Sequence, residues 1–577
     1  MIKKNCKLKV MKLITVILWI SAFIVCPKTS LMAEASELEV WNATDSSIFG
    51  EYALKNGAPG SQSAQLQYII DEASRHSKTI YIPSGEYILG ETVNLKSNIQ
   101  IMGDLNEPTI LRATSATVQL DDSSYAHTSG IEIKNLFFDG VSIFTRRSHD
   151  IVIQNNVFYN PLTLFPINLV ASKSADLSNN IFMRDIAHAT PDTENRAIYV
   201  GGFATSNLYE YTEDILIENN LFGLKLNELD AIKSFSNPSI IQTIERLQMA
   251  LETDKIYVTD NEQNYLSTGV NSYNNLKNAL IKDNIFYQMY ENEDRFGVVG
   301  DHAIYLRGSQ NVQVIGNHLR GLHNGPYGGF KFKSGRDITI MNNYLRNTGI
   351  IMYETPEYGL GDSFEEGTVA ELSRWLVANN IFDFKEWQDR YAIGIEYNRH
   401  TGIDNVFNGV FMDNHFVNYH NLWTGYRREL LIQNNNGEGF KGESTFVAGN
   451  TRDDTIDGIL NVEFWTEQDV LMMPTDWTEL VDSSIYEQYK YSRIPIRNTL
   501  PIAQNRVITL GEEVSPYDLV AHTHDADEAK PEATILKPEV LTNVGDQKVT
   551  VLLTYQDSST VTINSIVTVQ EPTYTSK

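Results

Sequence analysis

Between residues 151 and 416 one eight-residue phrase keeps returning: IVIQNNVF, ADLSNNIF, ILIENNLF, ALIKDNIF, VQVIGNHL, ITIMNNYL, WLVANNIF and GVFMDNHF. Each opens with apolar residues at alternate positions and ends, just past an asparagine, on Phe or Leu. The period inside the phrase is 2, so it predicts a strand and excludes a helical repeat. The asparagines are Asn156, Asn180, Asn220, Asn284, Asn317, Asn343, Asn380 and Asn414, in steps of 24, 40, 64, 33, 26, 37 and 34 residues.

Such steps describe a chain wound in coils. The shortest is about one turn of a parallel β-helix, and the longer ones are a turn with a loop added or a turn not recognised between. Val, Ile and Phe at every second position would fill the coil interior. Asparagine tolerates the left-handed backbone a bend needs, and stacked in successive turns its amide can bond up and down the ladder. The fold class expected is all-β: a parallel β-helix, or solenoid, which the family resemblances given next imply to be right-handed, with an N-terminal capping helix and a small C-terminal Ig-like β-sandwich.

The expected helix and first coil lie in SAQLQYIIDEASRHSKTIYIPSGEYILGETVNLKSNIQIMGD, Ser63 to Asp104. It reads as an amphipathic helix, a strand TIYIP, a turn SGEY, and strands TVNL and IQIMG. With the ladder behind it, this opening resembles that of the pectin-lyase-like superfamily of right-handed parallel β-helices. The resemblance covers about residues 40–460. It implies the fold and leaves the reaction open among lyases, hydrolases, epimerases, fructan-cleaving enzymes and phage tailspikes. Two insertions interrupt the ladder. Asn237–Lys255 reads as a helix leaving the coil after the strand DAIKSF, and Thr355–Trp375 reads as a loop with a short helix near its end. After Arg493 come short alternating strands with turn signals. GEEVSPYDLVAHTHDAD and VGDQKVTVLLTYQDSSTVTINSIVTV resemble the bacterial Ig-like modules of Gram-positive surface proteins.

The N-terminus changes the charge picture. Lys3, Lys4, Lys7, Lys9 and Lys12 precede the apolar run Leu13–Cys26, and AEA at Ala33–Ala35 suits a cleavage site. The run is short for a membrane span. The domains expected are a signal peptide over 1–35, the β-helix over 36–493 and the Ig-like domain over 496–572. The mature protein would be secreted, with no membrane partner, and would associate with the cell wall, if at all, through its Ig-like domain. Both cysteines, Cys6 and Cys26, lie in the signal. The mature chain therefore uses neither disulfide nor thiolate chemistry. Removing six basic residues and one acidic one takes the formal charge from −27 to −32. That excludes nucleic acid as a partner and admits a polyanion only at a local basic patch.

Aligning RAIYVGG, DAIKSF, HAIYLRG, GFKFKSG and AIGIEYN supplies the patch. With Ile198, Ile232, Ile304, Phe330 and Ile393 turned inward, one outward column holds Tyr199, Lys233, Tyr305, Lys331 and Gly394. The next holds Gly201, Phe235, Arg307, Lys333 and Glu396. GIIMYE adds Tyr353 or Glu354, depending on a one-residue register. His302 and Arg196 open two of the strands. Exposed Lys and Glu on a sheet are ordinary surface pairs worth little singly. Tyr, Arg, Lys and His gathered on one face point instead to a groove for an extracellular polysaccharide, with Tyr199, Tyr305 and Tyr353 offering flat faces and His302 and Lys331 polar contacts.

Two chemistries fit. In β-elimination a lysine removes the proton α to a uronate carboxylate that an Arg or Lys neutralises. HAIYLRGSQNVQVIGNHLRG and GGFKFKSGRDITIMNNYLRN are similar to the alginate lyase and chondroitinase B family, whose basic lysine falls on Lys333-Ser334. The resemblance implies Lys333 as base; Arg307, which it does not supply, would be the neutraliser by a different geometry. That family's calcium ligands fall on Tyr327 and Gly329, and its arginine near Glu354, so both features depart from the pattern. Calcium stays open as a cofactor, with no metal ligand assigned and no calcium-loop motif present. In hydrolysis two carboxylates flank the glycosidic bond. Glu354 and Glu396 are the candidates, with Asp301 and Asp230 behind them; the polygalacturonase signatures are absent. A third reading is a carbohydrate-binding or adhesin surface without catalysis, lined by Trp387, Tyr391, Tyr419, Trp423 and Tyr426. HTHD at His522–Asp525 reads as solvated loop.

Overall fold

The computed structural model describes residues 39–571, outside 123–126, 184–195, 206–207, 225–231, 234–236, 257–267, 273–275, 287–301, 320–328, 347, 354–371, 384–390, 398–405, 418–427, 435–444, 449–450, 453–461, 465–501, 522, 525–528, 537–540, 542 and 557–559. Three parallel sheets run along a right-handed β-helix. The first includes Ser142–Arg146, Ile167–Val170, Arg196–Gly201, Thr268–Ser272, the opening halves of His302–Ile315 and Phe330–Met341, Ile350–Tyr353 and Tyr391–Tyr397. The second carries the first half of each repeated phrase, from His149–Gln154 to Val406–Met412. The third has twelve strands among the described residues and holds the end of each phrase.

The asparagines stand between the second and third sheets, all buried. Each side-chain amide donates to the next asparagine's Oδ1, from Asn156 to Asn180 at 3.1 Å through to Asn380 to Asn414 at 2.9 Å. It also donates to a carbonyl of the preceding coil, as Asn220 does to Leu177 at 2.7 Å. Every step, even that of 64 residues, is therefore one coil with its insertion. The left-handed bend falls one residue earlier than expected, on Asn155, Asn179, Asn219, Asp283, Gly316, Asn342, Asn379 and Asp413. One residue turns the chain and its neighbour bonds, because the left-handed φ frees the following amide to face the interior.

Inside, Phe138, Phe158, Phe182, Phe222 and Phe286 form a stack with centroids 4.5–5.1 Å apart. Against it lie the small residues Ala197, Gly269 and Ala303, in successive coils of the first sheet. A Cβ on Gly269 would come within 2.4 Å of the Phe286 ring.

The third sheet is apolar on its outer face too: Ile110, Phe137, Val157, Ile181, Leu221 and Ile285. The insertion covers it as a helix, Pro238–Glu252, N-capped by Asn237. Ile240, Ile244, Leu247 and Ala250 meet the sheet. Arg246, also buried, donates to the carbonyls of Asn135 at 3.0 Å and Asn155 at 2.5 Å, spanning two coils. The capping helix is Ser63–His76, with Leu66, Ile69, Ile70 and Ala73 on the core.

Three expectations are corrected. Ile232 and Lys233 of DAIKSF are helical, and Ile232 joins the core under the inserted helix; the rung it was to fill belongs to Thr268–Ser272. The expected turn SGEY lies largely within a third-sheet strand, Gly85–Leu89, with Tyr87 buried. The end of the second insertion, where a short helix was expected, is already strand from Leu372, and Leu372–Ala378 buries Trp375. The C-terminal domain has a four-stranded sheet of Arg506–Thr509, Thr560–Gln570, Gly545–Thr554 and Glu532–Ile535, and a two-stranded one. Val549, Val551, Leu553, Val567 and Val569 form its core.

Candidate functional site

The first sheet's outer face resolves the ambiguous register. Arg307 pairs with Lys333, Lys333 with Tyr353, and Tyr353 with Glu396. Tyr353, not Glu354, therefore stands in the column; Glu354, Asp301 and Asp230 lie outside the described residues, and of Glu396 and Tyr353 only the backbone is described. The neighbouring column reads Phe144, Asn168, Tyr199, Asn271, Tyr305 and Lys331 in successive coils. Lys233 is absent from it; its Nζ donates to Gln248 at 3.0 Å. Tyr391 is described in its backbone alone, and Trp387, Tyr419, Trp423, Tyr426 and His522 lie outside the described residues.

Why the basic residues sit here follows from local backbone. Arg146, Arg307 and Lys333 each end a first-sheet strand. The next residue, Arg147, Gly308 or Ser334, takes a left-handed φ of 58°, 56° or 52° and turns the chain into the second sheet. A long cationic side chain just before that corner lies at the edge of the outer face, and each of the three turns its head over a neighbouring ring, Arg146 over Phe144 and Arg307 and Lys333 over Tyr305.

Tyr305 is the hub. The Arg307 Cζ and the Lys331 Nζ each lie 4.9 Å from its ring centroid, and the Lys333 Nζ lies 5.5 Å away. The Arg307 Nε donates to the Tyr305 Oη at 2.7 Å. His302, fully buried, meets the ring at 5.2 Å and 54°. Three like charges at such range repel one another; the negative face of the ring offsets part of that. Tyr305 is only 4% exposed. Its faces are thus covered by cations and do not offer the open stacking surface expected of it. Tyr199 is half-buried, its ring tilted at 53° on Phe165 and folded over Gly201, where a Cβ would meet the Tyr199 Oη at 2.3 Å.

The sequence reading missed Phe144 and Arg146. Phe144-Thr145-Arg146 repeats the aromatic–buried–arginine order of Tyr305-Leu306-Arg307, and the Arg146 Cζ lies 5.5 Å from the Phe144 ring. Beside it Asp122 is buried, accepting from Thr128 Oγ1 and from the Arg146 amide, each at 2.6 Å. Burial pushes its carboxyl up to about 6, against the hydrogen bonds that lower it. A calcium ion needs several oxygen ligands; among the described residues no group of three or more His, Cys, Asp or Glu is placed to hold a metal ion. Nor, among them, is any helix long and apolar enough to cross a membrane.

Residues 49–271 match the family model described as rhamnogalacturonase A/epimerase, pectate lyase-like, and residues 498–571 match the Rib domain. No curated protein matches the chain. Among solved structures, PfbA, a surface adhesin of Streptococcus pneumoniae, is 15% identical with a TM-score of 0.46, covering 70% of this chain and 88% of its own. A tailspike protein of bacteriophage CBA120 is 11% identical with a TM-score of 0.38, covering 89% and 68%. DFA-IIIase from Arthrobacter chlorophenolicus A6 is 12% identical with a TM-score of 0.37, covering 72% and 85%.

Proposed function

Starting from a right-handed β-helix that carries a pectate lyase-like domain and a C-terminal Rib domain, we propose that the protein is secreted and cleaves an acidic extracellular polysaccharide by β-elimination. One observation carries the reading: Arg307, Lys331 and Lys333 converge on Tyr305 at the outer face of a strongly acidic chain. A uronate carboxylate is the group such a cluster suits, being small, anionic and planar for Arg307 to hold. Neutralising it lowers the cost of a carbanion at the neighbouring carbon. Lys333 is the base that takes that carbon's proton. The electron pair forms the new double bond, the bond to the glycosidic oxygen breaks, and that oxygen leaves with a proton from solvent. Lys331 adds charge without being the base, and His302 and Tyr305 hold the cations in place. Tyr199 and Tyr353 lie where sugar rings on either side would pass. The Rib domain would hold the protein at the cell wall.

The position of Glu396, two coils from Lys333 in the same column, favours a second reading: glycoside hydrolysis with Glu396 and Glu354 as the carboxylate pair. The test is incubation of the mature protein with polygalacturonate, alginate, chondroitin and neutral glucans, following ultraviolet absorbance of the unsaturated uronate. Absorbance that rises with wild type and not with Lys333→Ala supports elimination. Reducing ends without absorbance transfer the reaction to the carboxylates. Neither product from any polymer leaves a binding surface without catalysis.

A further inference from the structure

The aromatic column does not stop at Tyr305. Over consecutive coils it reads Phe144, Asn168, Tyr199, Asn271 and Tyr305, an aromatic ring at every second rung and asparagine between. The two end rings each stand with an arginine, Arg146 over Phe144 at 5.5 Å and Arg307 over Tyr305 at 4.9 Å, while Tyr199 meets the ring of Phe165, itself 5.6 Å from Arg196. Arg196 is buried, so rings alone face outward at the middle step. Arg146 and Arg307 both end their strands before a left-handed corner and so project from the same edge, four coils apart.

We infer that Phe144 and Arg146 form a distal subsite for a linear acidic glycan lying along the β-helix axis, its far end at Tyr305. Four strand spacings are about 19 Å, roughly the span of five sugars of an extended chain. The half-buried rings of Phe144 and Tyr199 lie along that track, and the arginines at the two ends match acidic groups. Charge complementarity selects the ligand: Arg146, Arg307, Lys331 and Lys333 share one face of a chain with a formal charge of −27. Asp121, next in the column beyond Phe144, and buried Asp122 close the track, since a further acidic sugar would meet like charge there. The Arg147–Glu210 ion pair at 2.5 Å flanks the same end. This inference rests on the outer face being a glycan site; it does not need the elimination chemistry.

The test is calorimetric titration with galacturonate dimer, tetramer and hexamer, using full-length mature Lys333→Ala protein so that no probe is consumed. The expected result is hexamer binding about tenfold tighter than dimer, with cellulose hexamer binding at neither level. Adding Arg146→Ala or Phe144→Ala removes most of that tenfold gain and shifts dimer affinity less than twofold, with the melting temperature kept. Arg146→Lys restores part of the gain. A gain with length that survives both alanine variants overturns the distal subsite, as does failure of every acidic oligomer to bind. If wild type binds hexamer with the gain yet cleaves nothing, elimination falls and the track stands. Cleavage without a gain in affinity with length has the opposite meaning.

Discussion

The asparagine ladder and the outer column of the first sheet share one rung spacing and obey opposite rules. Inside, Asn156 to Asn414 repeat one residue, and from Asn156 to Asn380 each donates both to the next asparagine and to a backbone carbonyl. Outside, Phe144, Asn168, Tyr199, Asn271, Tyr305 and Lys331 change at every coil. A buried amide must find its partners inside the protein, and an asparagine at the same place one coil on supplies one, so the interior repeats. An outward residue is under no such demand, and its variation is free to follow a ligand.

Asn220→Ala probes that difference most severely. It removes the acceptor of the Asn180 amide and side chain, at 2.9 and 3.1 Å, and the donor to Leu177. Buried groups left unmade cost about 1–3 kcal/mol each, so denaturant unfolding should show a loss of at least about 3 kcal/mol. Lys333→Ala belongs to the other regime: activity should fall about 100-fold or more while the thermal midpoint holds. A melting temperature that falls as far as for Asn220→Ala would erase the distinction. Gly269→Ala forces a Cβ onto Phe286 and should cost about 1–3 kcal/mol, whereas Gly201→Ala, outside, should displace the Tyr199 ring and weaken acidic-glycan binding with a smaller loss of stability. The smallest effect concerns Asp122. Its carboxyl holds a proton in the fold up to about 6 and in the unfolded chain only to about 4. The native state thus binds more protons in that window, and stability present below it is lost as pH rises through it. Asp122→Asn should flatten this slope in unfolding curves taken across the window.

What the sequence made legible was the part that repeats. The Asn phrase located the coils even across the 64-residue step, because the ladder admits no substitute at Asn220 or Asn284. Its companion role was misassigned: two polar residues in sequence do not announce which one turns and which one bonds. The outer face was readable only where its strands shared a phrase. HAIYLRG and GFKFKSG did, and Arg307 and Lys333 fell in register. DAIKSF shared it without occupying a rung, while Thr268-Gly269-Val270-Asn271-Ser272 occupies one without sharing it, since glycine replaces alanine to clear Phe286. Phe144 and Arg146 went unseen because SIFTR lacks the Ala-Ile opening. The helix cover on the third sheet was readable in principle: pairs such as Val157-Phe158 and Ile181-Phe182 put apolar residues on both faces, which an open sheet face does not tolerate.

Cations gathered on Tyr305 are proposed to perform an elimination. Mass spectrometry of the products from a uronate-containing polysaccharide tests it most directly. The account predicts fragments lighter by one water than hydrolysis would yield, lost together with Lys333→Ala. Fragments that carry an added water, or elimination products that persist in Lys333→Ala, would contradict it.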